Sequence, residues 1–260
     1  HSFLILKQNK NLKLIGLDKD DYALELAREK LKEFKDRVIL LKASFKDLDK
    51  VLQSLNIKEI NGILFDFGVS TFQLKLERGF SFQREEFLDM RMDTTQKLTA
   101  FDVVNYYKEQ DLYYIIKNYG EEKLAHKIAK SIINYRKKKK IETTKELADI
   151  VYECYPKNLR YGKIHPATRT FQAIRIEVNN ELKEIEEGLE KAIKFLAKDG
   201  IVMAISFHSL EDRIVKNMFK KYKELKFLEI LTKKPITPTE EEIRENPASR
   251  SAKLRVGRRI

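Results

Sequence analysis

The sequence predicts an α/β fold in which a mostly parallel sheet ends in an antiparallel hairpin and is interrupted by an all-helical insert. Three observations predict it. Short aliphatic runs alternate with amphipathic helical segments through the first 70 residues, and from about Thr94 apolar residues fall only at helical spacing. Near the end, two apolar runs flank a long polar loop.

Leu12 to Leu17 reads as the first strand, ended by Asp18. Asp20 or Asp21 is a natural N-cap for a helix with Leu24, Ala27, Leu31 and Phe34 on one face. Val38 to Leu41 gives a second strand, Phe45 to Leu55 a helix, and the run GILFDFG a third strand over Gly62 to Phe67. In the insert, which holds nine of the eleven tyrosines between Tyr106 and Tyr161, one helix carries Leu124, Ile128, Ile132 and Tyr135, and Lys137 to Lys140 follow as a solvated end. Thr143 and Glu146 have capping-box spacing ahead of Leu147, Ile150, Val151 and Cys154, and Tyr155-Pro156 closes that helix. The α/β pattern then resumes. Val178, Leu182, Ile185, Leu189, Ile193 and Leu196 predict one long helix, Asp199-Gly200 a turn and Ile201 to Phe207 a strand. A helix with Ile214, Val215, Met218, Phe219 and Tyr222 follows, and Phe227 to Leu231 pairs with Ser251 to Val256 across a loop containing Pro235, Pro238 and Pro247. The domains expected are 1–93 and 163–260, together forming the α/β part, with the helical insert at 94–162.

The chain carries 52 Lys and Arg against 40 Asp and Glu, a balance of +12 in 260 residues. This excess points to a polyanionic partner, nucleic acid first. No apolar run approaches the roughly 18 residues of a spanning helix, so no membrane role is expected. The single Cys154 forms no internal bridge, which suggests a reducing, cytoplasmic location. The chain opens on His1 rather than Met, and a preceding N-terminal stretch is expected.

Several residues have types and places suited to chemistry. Asp18 ends a strand where two carboxylate oxygens match the vicinal diol of an adenosine ribose, or it is a helix cap or surface acid. Phe45 follows the next strand and either lies against an adenine ring or packs in the core. Asp66 interrupts an apolar strand end just before Gly68; a carboxylate there is costly unless something polar meets it, and ligands of open sheets bind at that end. Gln73 follows seven residues later. In Ser206-Phe207-His208-Ser209-Leu210-Glu211-Asp212-Arg213, His208 reads as a base, a donor to a pyrimidine, a phosphate ligand or a helix cap. His165, Arg169 and Arg175 either grip phosphate or cap and bridge a helix. Arg250, Lys253, Arg255, Arg258 and Arg259, with no acid from Ala248 to Ile260, suggest a phosphate-facing edge or a solvated strand. The four histidines and one cysteine show no metal-ligand spacing, and no G-x-S-x-G elbow appears.

Together LIGLDKD, GILFDFGVS, ERGFSF, DMRMD, HPATRTFQAIRIEVN, SFHSLEDRIVK and NPASRSAKLR resemble the bacterial 16S ribosomal RNA cytosine-N4 methyltransferase family over nearly the whole chain. The resemblance implies a class I, Rossmann-like fold that binds S-adenosyl-L-methionine, with a helical domain inserted for RNA recognition. It implies cofactor contacts at His1, Asp18, Phe45, Asp66 and Gln73. The implied reaction is methylation of N4 of a P-site cytidine in the decoding region, in 16S RNA or the small ribosomal subunit. Asp66 is the candidate catalytic acceptor for N4–H, and the candidate RNA contacts are His165, Arg169, His208, Arg213, Arg250, Lys253 and Arg255. The family's Gly-rich D-x-T-x-G-x-G-G segment, expected ahead of His1, departs from this pattern by its absence, and a protein lacking it is expected to bind cofactor poorly. A second copy of the chain is a further candidate partner. An NAD-dependent oxidoreductase also places an acid after its second strand but leaves Asp66, Gln73 and the insert unexplained. A non-enzymatic ribosome-assembly factor accounts for the charge and the tyrosines.

Overall fold

In the computed structural model, which describes residues 1–70, 72–74, 76–162 and 164–260, the chain forms two compact units. The first comprises His1–Gly68 and Leu182–Ile260; the second is Val69–Glu181.

The first unit begins with α1 (Ser2–Gln8), β1 (Leu14–Asp18) and α2 (Asp21–Lys30). Asp20 N-caps α2 by accepting from the Tyr22 amide, satisfying one of the four donors that a helix start leaves open. The helix predicted to reach Phe34 ends at Lys30 and continues as a 3-10 segment over Lys32–Arg37. β2 (Val38–Lys42) pairs parallel with β1, Leu14 opposite Val38 through Asp18 opposite Lys42. The helix predicted from Phe45 divides into a 3-10 turn at Phe45–Asp47, capped by Ser44, and α3 (Leu48–Ser54). β3 (Ile60–Asp66) follows.

The long helix predicted through Leu196 is two. α8 (Thr168–Asn179) stops where Asn180 turns left-handed (φ 51°), α9 (Glu181–Phe195) starts anew, and Leu196 already belongs to β4 (Leu196–Ser206). Asn tolerates that conformation better than most residues, which makes it a common helix terminator. Then come α10 (Ser209–Glu224), β5 (Leu228–Ile230), α11 (Glu240–Glu245) and β6 (Lys253–Arg259). β4 runs parallel to β3, while β6 lies antiparallel to both β4 and β5, giving the order β3-β4-β6-β5. The predicted terminal hairpin is therefore present. β6 lies between β4 and β5. Phe65, Phe67, Ile185, Leu189, Val202, Val215 and Phe219 fill this unit's core.

The second unit holds α4 (Ala100–Tyr106), α5 (Glu109–Asn118), α6 (Ala125–Arg136), α7 (Thr144–Cys154) and α8. Thr143 and Glu146 form the predicted capping box. The unit is wider than the predicted 94–162 at both ends. Phe80, Leu88 and Met90 upstream, and Phe171, Ile174 and Val178 downstream, share one buried cluster with the insert helices.

Among the described residues, no helix is long and apolar enough to cross a membrane.

Candidate active site

β3 places Asp66 beside Ile205 of β4, and the Phe67 amide donates to Ile205 at 3.1 Å. The turns after the two parallel strands thus share one end of the sheet, where open α/β folds bind ligands. Gly68 takes the chain off β3 at φ +83°, a conformation side chains rarely adopt. Asp66 is half exposed, and His1 Nε2 stands 3.7 Å from its Oδ2. Desolvation nevertheless raises its pKa, and the Glu211 charge adds to the rise. Asp18, at the carboxyl end of β1, behaves alike. It is exposed, yet desolvation raises its pKa against hydrogen bonds from the Asp20 and Lys19 amides, the former at 2.8 Å. Both carboxylates thus stay open to solvent while partial desolvation raises their pKa, so a ligand hydroxyl or amine can reach them.

Phe45 packs against the core. Its ring meets Phe65 edge-on at 5.6 Å and Phe67 at 6.0 Å, and part of it stays exposed. The ring backs onto α9 at Gly188, where a Cβ would fall 2.5 Å from Phe45 Cδ2. One turn earlier, buried Glu184 accepts from Lys19 Nζ at 2.8 Å, Ser44 Oγ at 3.0 Å and Lys46 Nζ at 3.0 Å. Glu184 therefore ties the segments that follow β1 and β2 to one helix, through the residue after Asp18 and the residues on either side of Phe45. The Lys46 pKa is raised, chiefly by this hydrogen bond.

His208 is the N-cap residue of α10. Its Nε2 stands 3.1 Å from Glu211 Oε1, and Glu211 Oε2 accepts the Phe207 amide at 2.7 Å and the His208 amide at 3.2 Å. Of its predicted roles, the structure shows the cap. Arg213 is exposed on α10. Several residues of the basic tail have acidic partners within the chain. Arg255 donates twice to Asp212, at 2.6 and 3.1 Å, with both side chains nearly buried, and Lys253 Nζ lies 3.7 Å from the same carboxylate. Burial would raise the Asp212 pKa, but the Arg255 and Lys253 charges hold it below the usual value. Arg258 pairs with Glu229, and the Arg259 guanidinium lies 3.2 Å over the Phe227 ring. On interior β6, then, Arg255 is held in an ion pair with Asp212. Arg250, before the strand, is exposed.

In the second unit, Gln73 is buried and accepts the Ser70 amide at 2.9 Å. His165 is exposed and stacks on Phe82 at 4.7 Å and Tyr152 at 5.9 Å, while its Nδ1 accepts the Ala167 amide. Arg169 donates to the Glu121 carbonyl at 3.1 Å, and Arg175 binds Glu181 through two bonds of 2.8 Å.

Sequence reasoning missed Glu184, Lys19 and Ser44. The available signal was a stripe on α9, Glu184-Gly188-Ala192 at spacings of four, running beside the apolar face.

A family profile described as the MraW methylase family matches residues 1–260. Among curated relatives, the "Ribosomal RNA small subunit methyltransferase H" of a Sulfurihydrogenibium species is 88% identical over 260 residues, covering all of this chain and 89% of that protein. Proteins of the same name from Sulfurihydrogenibium azorense and Persephonella marina are 73% and 68% identical over the same shares.

Proposed function

Because the chain belongs to the MraW methylase family, we propose that it transfers a methyl group from S-adenosyl-L-methionine to small-subunit ribosomal RNA, at N4 of a cytidine in the decoding region. The names of the relatives support the RNA class. Membership in a methylase family speaks against both the oxidoreductase and the non-enzymatic assembly factor. The observation that carries the finer reading is the pair of accessible, desolvated carboxylates at the ends of β1 and β3.

The residues present fit the methyl donor. Asp18 offers two oxygens to a ribose diol, the part-exposed Phe45 ring offers a face to a purine, and Asp66 with His1 offers polar contacts at the end of β3. When bound, S-adenosylmethionine supplies an electrophilic methyl on a sulfonium centre. The chain's own task is to make a poor nucleophile adequate. The N4 lone pair of cytosine is delocalised into its ring, so the amine must be aimed and its N–H accepted as the nitrogen rehybridises. Asp66 takes that proton, and its raised pKa makes it the better acceptor. Its exposure then lets the proton pass to water. His165, Arg169, Arg213 and Arg250 are the proposed RNA contacts.

The test is nucleoside mass spectrometry on small-subunit RNA, free and in assembled subunits, after incubation with the full-length protein and labelled methyl donor. The expected product is N4-methylcytidine; label on a ribose, a ring carbon or another base overturns the assignment.

A further inference from the structure

From Ala125 to Ile141 the chain carries Lys127, Lys130, Arg136 and Lys137 to Lys140 and no acidic residue. Most helix-end lysines merely complement the carbonyl dipole, an effect confined to the last turn. Here the partners argue for more. Arg136 donates to the carbonyls of Val104 at 2.7 Å and Tyr107 at 2.6 Å, and among the described residues no carboxylate pairs with it. Among the described residues, the side chains of Lys137 and Lys138 make no hydrogen bond or ion pair, whereas Lys139 binds Glu146. Lys140 lies 5.0 Å over the Tyr106 ring and 5.6 Å over Phe101, and donates to Tyr106 Oη at 2.7 Å. Phe87 stacks on Phe101 at 5.5 Å, and Phe101 meets Tyr106 at 6.0 Å. Phe87 is 52% and Tyr106 59% exposed, although both are large rings in a unit with a well-filled core.

Exposed ring faces beside uncompensated positive charge form the chemistry that recognises single-stranded nucleic acid, whose bases stack while its phosphates seek cations. An acidic protein surface would satisfy the lysines but gives no reason to expose a phenylalanine and a tyrosine between them. We propose that Phe87, Tyr106 and the Lys137 to Lys140 run, all in the second unit, form a docking surface for an unpaired strand of the RNA substrate. Bases stack on Phe87 and Tyr106, and phosphates meet Lys137 and Lys138. The proposal rests on RNA being the substrate class, not on which atom is methylated.

The test is fluorescence anisotropy of the full-length protein with a labelled single-stranded RNA and with its duplex, across a salt series. Replacing Lys137 and Lys138 together by Gln is expected to flatten the log–log salt slope by about 1.4, at roughly 0.7 per single-strand phosphate. Phe87→Ala and Tyr106→Ala should each weaken single-strand binding about tenfold at unchanged slope, and Phe87→Trp should restore it. Methyl-donor affinity, titrated in the same variants, should stay at the wild-type value, so a failure here leaves the Asp66 chemistry standing. Unchanged RNA affinity and slope overturn the proposal, as does equal loss on duplex and single strand. Intact RNA binding with lost association to assembled subunits would assign the surface to a protein partner instead. The lysine pair keeps the test decisive if a ring variant fails to fold.

Discussion

Glu184→Ala separates the scaffold from the chemistry. The Glu184 side chain is 6% exposed and accepts from Lys19, itself 17% exposed, and from Lys46, 37% exposed. Removing one partner of a buried pair costs about 3–5 kcal/mol, whereas an exposed pair contributes about 0–1 kcal/mol. Here Lys19 dominates and Lys46 adds little, so the low end applies, about 3 kcal/mol. At about 2–4 °C per kcal/mol for a chain of this size, the melting temperature should fall by roughly 6–12 °C. Because Lys19 adjoins Asp18 and Ser44 adjoins Phe45, methyl-donor affinity should weaken as well, by about tenfold if the loosened segments cost about 1.4 kcal/mol. Scanning calorimetry reads the first effect and a donor titration the second. Lys32→Ala, which removes the exposed pair with Glu29, serves as the control and should change neither. A Glu184→Ala protein melting within about 2 °C of wild type, less than about 1 kcal/mol by the same conversion, would refute the reasoning.

Other perturbations separate site from structure. Asp66→Asn should lower methyl transfer by about 10²–10³-fold, as loss of a positioned polar partner does. Near-normal transfer would remove Asp66 from the mechanism. The same change should not destabilise the fold at neutral pH: an acid with a raised folded pKa contributes stability that is fully present below its unfolded value and is lost as pH rises through the folded one. A clear drop in melting temperature at pH 7 would contradict this. Arg255→Ala should destabilise the chain while leaving the salt slope of RNA binding intact, and a flattened slope would return β6 to the RNA. The lowered pKa of Asp212 has the opposite sign, so its contribution is present above the unfolded value and lost as pH falls through the folded one; Asp212→Asn should reduce the acid sensitivity of unfolding measured by circular dichroism. Gly188→Ala should destabilise by about 1–3 kcal/mol through overpacking against Phe45, although helix propensity alone favours Ala by about 1 kcal/mol; a gain in melting temperature would show that the ring yields.

Local chemistry was legible in the sequence where it is local in the structure. The Asp20 cap, the Thr143 and Glu146 box, the alternation of strands and helices from β1 to β3 and the final hairpin all depend on neighbours or on periodicity. The misread features depend on distant partners. Charge counting along β6 does not reveal that Asp212, 43 residues away in sequence, meets Arg255. The apolar period runs unbroken from Val178 to Leu196, so only the Asn179-Asn180 pair hinted at a break between α8 and α9. The segment before Thr94 lacks periodicity and reads as loop. It nonetheless buries Leu88 and Met90 and is held by Glu86, which accepts the Gly79 amide at 2.8 Å where Gly79 turns at φ +73°. Glu184 looked like one more solvated acid in a helix rich in them, because its partners come from the ends of two strands.

The central claim is that the acids ending β1 and β3 receive the methyl donor. Titration calorimetry of S-adenosylmethionine into the full-length protein and its Asp18→Asn variant tests it most directly. Losing one charge-assisted contact to the ribose, worth about 1.5–3 kcal/mol, should weaken binding about 10- to 150-fold. Equal affinity in the two proteins would place the donor elsewhere and contradict the account.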